Sequence, residues 1–202
     1  MKHIFLIGNK PKELYKGKDY SDLIDNLGPD DVVYRVNRMQ SIEYGLSGKR
    51  TDCVFCDKYA FHWHDNYVQW VKSVNPNMNM IIPYHSEREY NDNFGSDKNI
   101  SITVLGNSEE SYYIESIKDV LPQITFLFPN YYPTNVVYAL NYILNKYKGI
   151  EHDITLIGID AHDRLHTYKA PALRPFVHRG FLPYEDKWLR DLEEAGTIRV
   201  LD

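Results

Sequence analysis

Few cysteines, little net charge and no long apolar run narrow the possibilities for this chain of 202 residues before any motif is considered. The two cysteines, Cys53 and Cys56, form one Cys-x-x-Cys. One such pair cannot fill a four-ligand zinc site by itself. It lies in an apolar run of strand character, not at the helix N-terminus that would lower a thiol pKa for redox work. Two reduced, semi-buried thiols are the expectation, and they suit a reducing compartment. A net charge of −5 leaves no basic footprint, so no nucleic-acid partner is expected. The opening Met1-Lys-His-Ile-Phe-Leu-Ile-Gly8 is too short an apolar run for a signal peptide, and no stretch reaches membrane-spanning length. Internal repeats and low-complexity segments are also missing. Gly8-Asn9-Lys10-Pro11 supplies only one glycine, so the dinucleotide Gly-x-Gly-x-x-Gly fingerprint fails, as does the P-loop. A nicotinamide cofactor is therefore disfavoured.

What remains is a core-forming chain, 43% hydrophobic, with 17 tyrosines. Most of those tyrosines are expected to be ordinary half-buried residues, although a phenol also suits the wall of a polar pocket. Short apolar runs alternate with helical patterns. Strands are expected at 4–7, 31–36, 52–56, 78–83, 100–105, 125–128, 154–159 and 198–201. Helices are expected at 20–27, 65–74, 109–121, 134–147 and 183–195. The 134–147 pattern is the clearest, with Thr134 placed to cap it and Val137, Leu140 and Leu144 at helical spacing. Pro183 suits the first turn of the last helix, and Gly196 its end. This alternation predicts an α/β fold over residues 1–202: one Rossmann-like, doubly wound, mostly parallel sheet. The segment 161–182 lacks periodicity and reads as a short lid.

The run Ile154-Thr-Leu-Ile-Gly-Ile-Asp160 reads as a buried parallel strand ending in Gly158-x-Asp160. Ligands of open α/β sheets bind beyond the carboxyl ends of the strands. His162, His166, Tyr168 and His178 follow that strand, and Asn9, Asn37 and Arg38 follow the first two. If those two strands are neighbours, two amides and a guanidinium meet around a polar, anionic ligand. Asn9 as a turn residue and Arg38 as a plain surface residue are the simpler fates. His62, His64 and Asp65 invite a metal, but the His-x-His-x-Asp-His pattern is incomplete. Asp160, His162, His166 and His178 could hold a metal in a hydrolase, yet no helix pattern sets the two imidazoles of His162 and His166 on one face.

Several motifs in order along nearly the whole chain resemble the bacterial sialyltransferases of glycosyltransferase family 42. They are Gly8-Asn-x-Pro11 after strand one, Val33-Tyr-Arg-Val-Asn-Arg38 on strand two, Thr134-Asn135 opening a Tyr-rich helix, Gly158-Ile-Asp160, and a late His before the terminal helix and strand. The resemblance implies a Rossmann-like GT-A-like variant with a short lid. It implies metal-independent transfer of a sugar from a CMP-activated donor of the CMP-sialic acid type to a glycan hydroxyl, with no resident cofactor and no metal ligand. His178 falls at the general base. Tyr168 and His162, six residues apart, fall at two tyrosines that hydrogen-bond the departing phosphate. Asn9 and Asn37 fall at asparagines that grip the nucleotide, beside Gly8, whose loop amides could cradle a phosphate, and Arg38; Thr134 and Asn135 fall at the donor phosphate and carboxylate, and Gly158 and Asp160 at the cytidine turn.

Two positions and the length of the lid depart from the family pattern. Asp57 stands where an Asn lies near the sugar carboxylate and would repel an anionic sugar; Tyr132 stands for an Arg; the lid is shorter. A neutral sugar donor or a different nonulosonate therefore stays open, as does a non-catalytic nucleotide-binding relic. By family analogy a homo-oligomer is open. The simplest placement is cytoplasmic, on surface-glycan precursors, with any peripheral attachment to the inner membrane unsupported by a basic amphipathic tail.

Overall fold

The computed structural model describes residues 1–8, 15–36, 45–57, 67–74, 77–106, 121–122, 134–159 and 182–201. Seven described strands form one sheet: β1 (Lys2–Ile7), β2 (Val32–Val36), β3 (Cys53–Phe55), β4 (Met78–Pro83), β5 (Ile100–Leu105), β6 (His152–Ile157) and β7 (Arg199–Leu201). Their order is β5-β4-β3-β2-β1-β6-β7, and every pairing is parallel. The expectation of a mostly parallel sheet thus becomes an entirely parallel one among the described strands. The helices are α1 (Ser21–Asp25), α2 (Tyr67–Val74), α3 (Glu87–Phe94), α4 (Asn135–Lys146) and α5 (Leu182–Glu194), with a 3-10 turn at Tyr84–Ser86.

Strand side chains alternate between faces, so each central strand feeds two cores. Ile4 and Leu6 of β1, Tyr34 and Val36 of β2, and Ile154 and Leu156 of β6 pack with Val137, Leu140 and Ile143 of α4 and Leu182 and Leu189 of α5. On the other face Phe5, Ile7, Val33 and Ile157 pack with Ile24 of α1. Further along that face Val54, Met80 and Ile82 pack with Val71 of α2 and with Tyr90 and Phe94 of α3. Helices on both faces make the sheet doubly wound.

Six of the expected strands and four of the expected helices are present with ends shifted by a few residues; the terminal strand also forms, beginning at Arg199. The strand expected at 125–128 lies outside the described residues, as does the helix expected at 109–121 except for Leu121. Leu182, expected in the lid, instead opens α5 and is buried. Pro183 sits in the first turn of α5 as expected. The helix closes at Gly196, whose φ of +69° allows Thr197 N–H to reach back to the Leu192 carbonyl. The remainder of the lid segment, 161–181, lies outside the described residues.

Helix α3 was not expected from the sequence. Its run Glu87-Arg-Glu-Tyr-Asn-Asp-Asn-Phe94 offers only two apolar anchors, Tyr90 and Phe94. They are four apart, hence on one face, and both are fully buried against the sheet. Tertiary burial of two rings outweighs a polar sequence of modest helix propensity.

Candidate functional site

The strand order defines where a ligand belongs. From β1 the chain steps outward through β2, β3, β4 and β5, then returns to the opposite side of β1 with β6. The order therefore reverses between β1 and β6, and the crevice at such a switch point is the preferred site in open α/β sheets. Gly8 leaves β1 there and Gly158 leaves β6 there. Gly8 N–H donates to the Ile157 carbonyl at 2.8 Å. A Cβ on Gly8 would sit 2.6 Å from the Gly158 oxygen and 2.6 Å from Ile159 Cγ1, so only glycine permits this approach. Gly158 adopts φ +63°, the left-handed region that favours glycine. The structure thus brings two of the expected nucleotide-side residues together and gives each a backbone reason to be glycine.

A second cluster forms at the carboxyl end of β3. Asp57 follows that strand and is half-buried. Its carbonyl accepts a hydrogen bond from the Tyr90 hydroxyl at 3.2 Å, which ties the strand end to α3. Its carboxylate accepts one from Asn135 Nδ2 at 3.4 Å. Asp57 and Asn135, far apart in sequence, are therefore adjacent in space. β1 and β3 flank β2, so this cluster lies two strand spacings, roughly 10 Å, from the glycine pair.

Thr134 occupies the N-cap of α4 with an extended backbone, φ −63° and ψ 154°, and its carbonyl accepts from Tyr138 N–H. Its hydroxyl does not cap the helix, contrary to the sequence expectation. Instead it donates to Glu185 Oε2 at 2.8 Å, while Thr134 N–H donates to Glu185 Oε1 at 2.9 Å. In a capping box the residue three positions on returns a carboxylate to the N-cap N–H. Here that position is Val137, which belongs to the core, and Glu185 of α5 supplies the carboxylate from outside the helix. A full carboxylate is a stronger acceptor than any neutral group, so it captures both donors of Thr134.

Glu185 is fully buried and was missed by the sequence reading. The signal was present: Leu182, Glu185 and Leu189 fall at i, i+3 and i+7, which puts a carboxylate on the apolar stripe of α5.

Asn9, Asn37, Arg38, Asp160, His162, His166, Tyr168 and His178 lie outside the described residues, as do His62, His64 and Asp65. β1 and β2 are neighbours, which is the condition set for Asn9 and Asn37 to meet. Among the described residues no group of three His, Cys, Asp or Glu could hold a metal.

The two cysteines behave as expected for buried thiols. Cys53 packs with Tyr34 and Phe55 on the α4 face, and Cys56 packs with Tyr67 and Tyr90 on the other. They therefore point to opposite sides of the sheet and cannot share a ligand. Burial pushes the Cys53 thiol up to about 11 and the Cys56 thiol up to about 12. Tyr90, beneath Asp57, is likewise raised well above a free phenol, first by burial and then by Cys56.

No family model matches the chain, and no curated protein matches it. Solved structures do match. A Campylobacter jejuni sialyltransferase, CstII, described in complex with the substrate analogue CMP-3FNeuAc, is similar at 22% identity and TM-score 0.53, over 99% of this chain and 79% of that one. The monofunctional alpha-2,3-sialyltransferase Cst-I of C. jejuni is similar at 18% identity and TM-score 0.56, over 100% and 76% of the two chains. An alpha-2,3-sialyltransferase of C. jejuni in apo form gives 20% identity and TM-score 0.53, over 100% and 75%. The chain shares their fold along essentially its whole length.

Proposed function

We propose that this protein is a sialyltransferase-like glycosyltransferase that moves a sugar from a CMP-activated donor to a glycan hydroxyl. The observation that carries this reading is the switch-point crevice, walled by Gly8 and Gly158 and adjoined by Asp57, Thr134 and Asn135, in a fold shared with sialyltransferases. A CstII structure described with a CMP-sugar analogue supports the nucleotide class.

On this reading the reaction is a single inverting displacement that needs no metal. The acceptor oxygen bonds to the anomeric carbon while the bond from that carbon to the phosphate oxygen breaks, and the electron pair leaves with CMP. His178 takes the hydroxyl proton; an imidazole of ordinary pKa near 6.5 is matched to that task. Tyr168 and His162 donate hydrogen bonds to the departing phosphate, and one donor of this kind is worth about 3–4 kcal/mol. Asn9, Asn37, Arg38 and Asp160 complete the nucleotide side. No resident cofactor takes part, and the protein acts without nucleic acid, either alone or as a homo-oligomer. No helix of the described residues is long and apolar enough to cross a membrane. The reading places the enzyme in the cytoplasm, on surface-glycan precursors.

The test is thermal unfolding with CMP, using AMP as the control. Ligand at 100 times its Kd should stabilise the protein by about 2.7 kcal/mol. CMP release from a CMP-sugar should then fall by roughly 10²–10⁴-fold in His178→Ala. A melting curve indifferent to saturating CMP would end the proposal.

A further inference from the structure

Glu185 sits where a hydrophobic side chain would pack. It shares the buried stripe of α5 with Leu182 and Leu189 and is wholly shielded from water. A leucine there would continue the stripe, whereas a carboxylate is unfavourable unless strong donors meet it. Thr134 meets it twice, through its N–H to Oε1 at 2.9 Å and its hydroxyl to Oε2 at 2.8 Å. The first bond holds the backbone of the α4 N-cap, and the second holds the Thr134 side chain. Glu185 also lies in the first turn of α5, so one anion stands at the start of two helices, where negative charge is favoured. What this clamp holds is the corner already described. Asn135 follows Thr134 in the chain and donates to the Asp57 carboxylate, and the Asp57 carbonyl accepts from Tyr90 of α3. Hydrogen bonds and one peptide link thus run from α5 through the start of α4 and the end of β3 to α3. Glu185 is the buried end of that path, and Thr134, Asn135 and Asp57 are its half-buried part.

We propose that Glu185 is a positioning residue for sugar transfer, setting the N-cap of α4, and with it Thr134 and Asn135, against the donor from within the core. The inference rests on the transfer reading above and adds to it a residue that acts through Thr134 and not on the substrate. Both carboxylate oxygens are used, so the shape of the side chain alone does not suffice. In Glu185→Gln one oxygen becomes an NH2 group. With the amide oxygen on the Thr134 N–H, that NH2 group faces the Thr134 oxygen, and the hydroxyl hydrogen must turn elsewhere. The helix stays in place while the side chain at its cap is reset.

The test is CMP release from the CMP-activated sugar that the wild-type protein turns over fastest, measured well below the melting transition of each variant. Glu185→Gln should lower kcat roughly tenfold, with a smaller change in KM, because misplacing a group that orients the donor reduces the share of bound donor in reactive geometry. A residue that serves only the fold would leave kcat per folded molecule unchanged. Thr134→Val removes the hydroxyl and keeps the N–H. Adding Glu185→Gln to Thr134→Val should lower kcat less than Glu185→Gln does alone, because the two changes act on one hydrogen bond. Glu185→Asp, which keeps the charge and draws the carboxylate back by one methylene, should show the same kind of loss and serves in place of Glu185→Gln if that variant does not fold. Wild-type kcat in the folded Glu185 variant, or losses that multiply in full in the double variant, would overturn the positioning role and leave the transfer reading standing. Failure of the wild-type protein to release CMP from any CMP-activated sugar would overturn both.

Discussion

The two faces of the sheet each bury a charged side chain, and the two are handled alike for different ends. Arg35, on the face covered by α1, is wholly buried. Its Nη1 donates to Ser47 Oγ at 2.8 Å, its Nη2 to the carbonyls of Ser47, Gly48 and Arg50, and its Nε to Thr51 Oγ1. Glu185, on the α4 and α5 face, is also wholly buried and takes an amide and a hydroxyl from Thr134. In both, hydrogen-bonding groups of the fold stand where water would otherwise solvate the side chain, which is what burial of a charge demands. Arg35 uses this to fold residues 47–51 onto the sheet. Glu185 uses it to set the start of α4 beside Asp57. The same device therefore serves stability at one place and site geometry at the other.

Removing the cation should have the largest effect. Arg35→Met deletes its donors and strands the buried Ser47 and the carbonyls that face it. An unsatisfied buried polar group costs about 1–3 kcal/mol, so the loss should reach roughly 3–5 kcal/mol in denaturant unfolding. An unchanged midpoint would show that these groups re-pair elsewhere.

Glu185→Ala removes two hydrogen bonds to a carboxylate and should cost about 2–4 kcal/mol. Glu185→Gln sharpens the comparison. It keeps the volume and can still accept from Thr134, so it should recover most of the stability while CMP-sugar turnover stays reduced. Equal recovery of stability and turnover would make Glu185 no more site-specific than Arg35.

The smallest effect at neutral pH belongs to the thiols, which are buried without charge. Their ordinary pKa of 9.0 is raised by burial to about 11 for Cys53 and about 12 for Cys56. The protonated thiol is therefore the form the fold favours. That contribution is fully present below pH 9 and is lost as pH rises through the folded values, because the unfolded chain releases its protons first. Stability should fall between about pH 9 and 12, and Cys56→Ala should flatten the decline at a cost of about 1 kcal/mol at pH 7. A decline that is equally steep in Cys56→Ala would assign it to other groups.

Much of the framework was legible because one periodicity carried it. The runs at 4–7, 78–83 and 100–105 are apolar and bounded, and they form strands at or near those limits. Helix α4 was readable from apolar residues at helical spacing. Helix α3 was not, because burial of Tyr90 and Phe94 depends on a sheet that a local window does not contain. Gly8 and Gly158 were legible as glycines after strands. Their face-to-face approach was not, since it depends on β1 and β6 being neighbours across a long stretch of chain. Thr134 shows the same limit: its place at the N-cap was readable, whereas the partner of its hydroxyl comes from α5, well away in sequence.

An α/β class, the helical and strand periods, and the placing of polar residues after apolar strands can all be read along the chain. These follow from local spacing and from which side chains avoid water. The strand order, the switch point between β1 and β6, and the joining of Asp57, Asn135, Thr134 and Glu185 at one corner emerge only in three dimensions. Buried charge and backbone contact are satisfied by partners distant along the chain, and no local pattern records which partner that will be.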